Sequence, residues 1–121
     1  MEIFDRRTAH RSDLNVEANV SEDRQQWVRV HVLDISCGGL RFMADREFII
    51  GDNLWFDLYV TSAKRNLTLK VRGEILDELG GQDVMHIYRV EFKEISNEDR
   101  INLDELVNYI HNHVEMMLCY R

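Results

Sequence analysis

Two short segments hold the residue types from which a binding site could be built. Arg6-Arg7-Thr8-Ala9-His10-Arg11 places three guanidiniums within six residues. Such a cluster covers little apolar surface, and its charges repel one another until an anion relieves them. Arginine presents a planar fork of donors that suits phosphate oxygens, and the same fork fits the O6/N7 edge of guanine. Asp34-Ile35-Ser36-Cys37-Gly38-Gly39 supplies the complement. The Asp34 carboxylate can accept hydrogen bonds from the N1–H and N2–H groups of a guanine, and Ser36 adds a hydroxyl. Gly38 and Gly39 permit positive φ and close approach of a ligand to the backbone. Successive N–H groups in such a turn can form an anion-binding nest. One segment supplies phosphate donors and both can read guanine, so a guanine nucleotide with several phosphates is a coherent ligand.

Each segment also has a plain explanation. The arginines alone would read as a solvated tail with salt bridges to Glu2 and Asp5. Asp34 and Ser36 alone would read as a turn whose side chains bond the local backbone. Cys37, inside the second segment, reads as a small filler, since the sequence places no base beside it; Arg11 is the cation that could lower its pKa.

The elements that must position these segments follow from apolar spacing. Leu14, Val16, Ala18 and Val20 alternate, as do Val28, Val30 and Val32. Leu54, Phe56, Leu58 and Val60 follow the same period of two, then Leu67, Leu69 and Val71, then Val84, His86, Tyr88, Val90 and Phe92. Leu40 and Phe42 add one more short strand. A period of two puts one face of each strand on a core, and about six strands at regular spacing predict an antiparallel barrel or sandwich. Closure also removes exposed strand edges. With no proline in the chain, the turns fall to Gly, Asn, Asp and Ser, at Cys37-Gly38-Gly39, Gly51-Asp52-Asn53 and Gly80-Gly81. Ser96 and Asp99 then resemble a capping box. Leu103, Leu106, Val107, Ile110, Val114, Met117 and Leu118 recur at spacings of three and four, which predicts an amphipathic helix. Residues 1–12 are expected to form an arginine arm, 13–95 the barrel and 96–121 the C-terminal helix.

Composition narrows the function. The 121 residues fit one domain. A net charge of −7 opposes a nucleic-acid role, because gripping a phosphate backbone needs a basic surface. No apolar run approaches the roughly 18 residues of a membrane span, and Met1–Arg11 lacks the features of a secretory signal, so a cytoplasmic location is expected. Cys37 and Cys119 have neither zinc-site spacing nor an oxidising context. His111 and His113 are two apart, unlike the i, i+4 pair of a helical metal site. His31 and His86 read as structural histidines, and Trp27 and Trp55 as barrel residues. No catalytic motif or acid/base carboxylate pair stands out; no enzyme activity, metal or cofactor is expected. Tyr109, His113, Met116 and Tyr120 form a second helical stripe, which is either ordinary surface or the contact for a partner or a homodimer.

The two charged segments, taken in order, resemble the paired RxxxR and [D/N]xSxxG signatures of the PilZ family. Arg7 and Arg11 match the first; Asp34, Ser36 and Gly39 match the second. The Gly51 turn, Val71-Arg72-Gly73-Glu74-Ile75 and Tyr88-Arg89-Val90-Glu91-Phe92 before a final helix extend the resemblance over nearly the whole chain. It implies a six-stranded antiparallel PilZ-like β-barrel, mainly β, with a C-terminal α-helix. It also implies a bacterial second-messenger receptor for cyclic di-GMP, whose mobile arginine arm folds over the ligand and presents a surface to a protein partner. By resemblance, Arg7 and Arg11 would clamp phosphate and guanine, Asp34 and Ser36 would hold a guanine, and Gly38 and Gly39 would shape the turn. Arg6 resembles the extra arginine of members that take up an intercalated pair of ligands. Members that act only as protein-interaction modules usually lack the arginine motif, which is kept here.

Overall fold

The computed structural model describes residues 15–61, 66–80 and 84–110. Six strands run in chain order: β1 (Asn15–Ser21), β2 (Val28–Ile35), β3 (Gly39–Ala44), β4 (Asn53–Thr61), β5 (Asn66–Gly80) and β6 (His86–Ile95). All neighbours pair antiparallel, in the order β1-β2-β3-β6-β5-β4, and β4 returns to β1 to close a barrel. The predicted alternation is the reason. In β4, Leu54, Phe56, Leu58 and Val60 are buried, while Trp55, Asp57 and Tyr59 between them face outward. Ala18, Val30, Leu40, Leu69, Val71, Ile75 and Val90 complete the inner lining.

Aromatic rings fill one part of this core. Phe42 meets Phe48, Phe56 and Tyr88 at centroid distances of 5.5, 5.9 and 5.5 Å. The Tyr88 hydroxyl accepts the Phe48 N–H at 2.8 Å, which satisfies a backbone donor that would otherwise be buried alone. Burial pushes the Tyr88 phenol up from its ordinary value. The β3–β4 connection turns at Gly51, whose φ of 96° lies where side-chain-bearing residues rarely go. The Gly51 N–H donates to the Ile75 carbonyl at 2.8 Å, fastening this turn to β5.

The helix α1 (Asn97–Tyr109) follows β6 directly. Ser96 is its N-cap, accepting the Asp99 N–H at 3.1 Å. Asp99 does not close the reciprocal half of a capping box; its carboxylate accepts the Lys70 N–H at 3.2 Å and ties the helix start to β5. Leu103, Leu106 and Ile110 enter the barrel's core, with Val107 against them. Val114, Met117, Leu118, Cys119 and the histidines at 111 and 113 lie outside the described residues, as does most of the second helical stripe.

Two details differ from the sequence reading, one in the alternation and one in the structural histidines. Val84 precedes β6 and is exposed, because the β5–β6 connection there is a turn rather than strand. Of the two strand histidines, His86 bonds Glu78 at 2.9 Å, whereas His31 is exposed on β2.

Candidate ligand-binding site

The second charged segment forms the end of β2, a turn, and the start of β3. Asp34 pairs opposite Arg41, between a register shift that separates it from Val32 and the last β2–β3 pair, Ile35 with Leu40. The turn is held by its own side chain. Ser36 donates its N–H to the Gly39 carbonyl at 2.8 Å and its hydroxyl to the same oxygen at 3.3 Å. The Gly38 N–H in turn donates to Ser36 Oγ at 3.3 Å. The Phe92 N–H donates to the Gly38 carbonyl at 2.8 Å, which fixes the turn against β6.

The glycines serve a different purpose from the one their type predicted. Neither has positive φ; among the described glycines only Gly51 and Gly80 do. Gly39 is required by proximity instead, because a Cβ there would lie 2.0 Å from the Val90 carbonyl oxygen on β6. Gly38 borders open space, with nothing within 4 Å of where a Cβ would stand. A ligand could therefore lie against the Gly38 backbone. The nest expectation is correspondingly reduced, since the Gly38 N–H is already used within the turn.

A cleft of about 340 Å³ opens on the barrel's outer wall and gathers Asp34, Ser36, Gly38 and Gly39 with Arg41, Leu76, Arg89 and Glu91. The sequence reading did not assign these last four to the site. The signal was present: alternation puts Arg41 and Arg89 on the outer face once Phe42 and Tyr88 are assigned inward. What it could not give was which strands are neighbours. Cross-strand register lines up Asp34, Arg41, Arg89 and Asp77 across β2, β3, β6 and β5. The ends of this row are acidic and its middle is basic. Arg41 donates Nε to Asp34 Oδ2 at 2.7 Å, and its Nη2 donates to the same oxygen. Arg89 donates to both Asp77 oxygens, at 3.3 and 2.9 Å. The Arg89 guanidinium beside Asp77 holds that carboxyl below its usual value.

Cys37 is exposed, but its thiol is pushed up, first by desolvation and then by the Asp104 carboxylate, with Arg100 acting in the opposite direction. That is the reverse of what an activated nucleophile needs. Arg6, Arg7 and Arg11 lie outside the described residues, so the structure neither brings them to this cleft nor separates them from it. Among the described residues there is no cluster of three metal-ligating side chains and no helix long and apolar enough to cross a membrane.

A closed six-stranded antiparallel barrel with one C-terminal helix, and a polar cleft beside a DxSxxG turn, defines the class. The family model of the PilZ domain matches residues 5–109, and the chain belongs to that family. Its fold is similar to that of the Bacillus subtilis inhibitor of motility (MotI/DgrA), with a TM-score of 0.70 and 16% identity over 83% of this chain. The chain spans 48% of that structure's length. No curated protein matches. PilZ domains are in general cyclic di-GMP-binding modules that act as receptors or adaptors.

Proposed function

We propose that this protein is a cyclic di-GMP receptor without enzymatic activity. The observation that carries the reading is the cleft in which Asp34, Ser36 and the open Gly38 backbone converge on the outside of a PilZ barrel. Asp34 accepts the N1–H and N2–H groups of a guanine. The Gly38–Gly39 turn lets the base lie against the wall, and Ser36 holds that turn in shape. Arg7 and Arg11, with Arg6 before them, close over the phosphates from the arm formed by residues 1–12. Ordering that arm costs on the order of 1–2 kcal/mol per residue fixed, and charge-assisted hydrogen bonds to phosphate offset it. The ordered arm is the signal, read by a protein partner rather than by nucleic acid, in keeping with the net charge of −7. No further cofactor or metal takes part, and the site of action is the cytoplasm. The fold neighbour's name connects that protein with motility, which makes a motility component one kind of partner for this chain.

Calorimetric titration with cyclic di-GMP, with GTP and cyclic di-AMP as controls, tests the proposal. Selective binding of cyclic di-GMP is expected, and the molar ratio separates one ligand from an intercalated pair. No heat with any of the three, at concentrations that reveal micromolar binding, would leave a PilZ module that acts through protein contacts alone.

A further inference from the structure

Asp34, the acceptor assigned to guanine, is already engaged by Arg41. This pair is placed by the barrel itself: Asp34 and Arg41 are register partners on β2 and β3. Arg41 is in turn the register partner of Arg89 on β6. Like charges directly opposite each other are unfavourable, and each arginine is held to a carboxylate on its far side, Arg41 to Asp34 and Arg89 to Asp77. Arg89 is thereby kept from competing for Asp34.

The way Arg41 holds Asp34 is selective. Both donors, Nε and Nη2, converge on Oδ2. Among the described residues Oδ1 receives no side-chain or turn hydrogen bond, and Oδ2 faces the arginine. The groups therefore run in the order Oδ1, Oδ2, guanidinium: acceptor, acceptor, donor. The Watson–Crick edge of guanine runs N2–H, N1–H, O6: donor, donor, acceptor. We infer that Arg41 is a specificity-determining residue that donates to guanine O6 while the adjacent Asp34 accepts from N1–H and N2–H, so that the pair reads all three positions of the edge. This rests on the cyclic di-GMP reading of the same cleft.

The chemistry is self-consistent. Arginine carries five N–H donors and a carboxylate oxygen has more than one acceptor site. Oδ2 therefore accepts N1–H without losing Arg41 altogether, and the guanidinium has donors left for O6. Side-chain exposures of 46% for Arg41 and 36% for Asp34 leave the pair reachable by a base. An exposed pair of this kind contributes little to stability, so re-aiming it is inexpensive. Adenine is refused twice: its N6–H₂ would face the guanidinium donor, and its N1 lone pair would face Oδ2. The pair is also aligned before the ligand arrives, which limits the ordering cost of recognition.

The test is calorimetry at several salt concentrations with cyclic di-GMP, cyclic di-IMP and cyclic di-AMP, on the wild type and on Arg41→Ala and Arg89→Ala. Cyclic di-IMP keeps O6 and N1–H but lacks the N2 amino group. Arg41→Ala is expected to weaken cyclic di-GMP and cyclic di-IMP by the same factor, about tenfold, as for the loss of one charge-assisted hydrogen bond. It should narrow the preference over cyclic di-AMP and leave the salt dependence unchanged, because O6 is neutral. Arg89→Ala should leave the preference intact. Undiminished binding by Arg41→Ala overturns the inference. So does a salt slope that falls by about one, since Arg41 would then serve a phosphate. Equal narrowing by Arg89→Ala overturns it as well. A wild type that binds no cyclic di-GMP refutes the receptor reading itself, a result distinct from any of these.

Discussion

Two clefts share strands β5 and β6 but no lining residue; both hold ion-paired charges, and they differ in what stands open beside those pairs. The larger, about 580 Å³, lies between the β1–β2 connection and the wall formed by β4, β5 and the end of β6. It holds the chain's two tryptophans, Trp27 and Trp55, with the Arg24 guanidinium 5.1 Å from the centre of the Trp55 ring. Its other charges pair among themselves: Lys70 with Asp57 at 3.1 Å and Arg72 with Glu94 at 2.9 Å. The smaller cleft, about 340 Å³, is poorer in apolar surface but keeps an acceptor oxygen, guanidinium donors and bare glycine backbone facing outward. Volume and aromatic content would choose the first; polar groups left with capacity for a ligand choose the second. The second is also the one that carries the PilZ motif.

That contrast can be broken by experiment. The largest effect should come from Arg7→Ala or Arg11→Ala. Each removes one of the proposed phosphate clamps, and calorimetry should show the loss of tight cyclic di-GMP binding while circular dichroism shows the barrel intact. Binding at wild-type strength by either variant would sink the clamp. Asp34→Ala should weaken the ligand by about ten- to a hundredfold, since it removes two charge-assisted acceptors. Trp55→Ala in the larger cleft should leave affinity unchanged; a loss comparable to that of Asp34→Ala would assign the ligand to the wrong cleft.

The turn itself can be tested through stability. Gly39→Ala sets a Cβ 2.0 Å from the Val90 carbonyl oxygen, so β3 and β6 must separate. Urea unfolding should show a loss of about 1–3 kcal/mol, typical of overpacking against a fixed neighbour. Gly38→Ala, in open space, should cost little stability. Affinity should nevertheless fall if the base lies against that backbone.

The smallest effect concerns Asp77 and pH. Arg89 depresses the Asp77 carboxyl in the folded protein. The pair's contribution is therefore present above the unfolded value of about 3.9 and is lost as pH falls through the lower folded value. Asp77→Asn should shift the urea midpoint slightly near neutrality, and the difference from wild type should vanish in acid. A difference that persists there would assign Asp77 a role other than its charge.

The sequence by itself determined the period-two strands, the switch to helical spacing after Ser96, and the motif turn. Each of these is a local pattern, set by side chains a few residues apart. Leu54, Phe56, Leu58 and Val60 face inward because consecutive strand residues must point to opposite sides. Ser36 closes its turn because its hydroxyl reaches backbone only two or three residues on. Residue type misled where the deciding contact was distant: Gly39 is required by the Val90 carbonyl 51 positions later in the chain, not by its own φ. The partners of Asp34 were hidden for the same reason. Arg41, Arg89 and Asp77 join it only when β3 pairs with both β2 and β6, and β6 with β5. Strand order and register set that row of charges, and these are fixed when the barrel closes on its core, so only the tertiary structure could decide which charges stand together beside the motif turn.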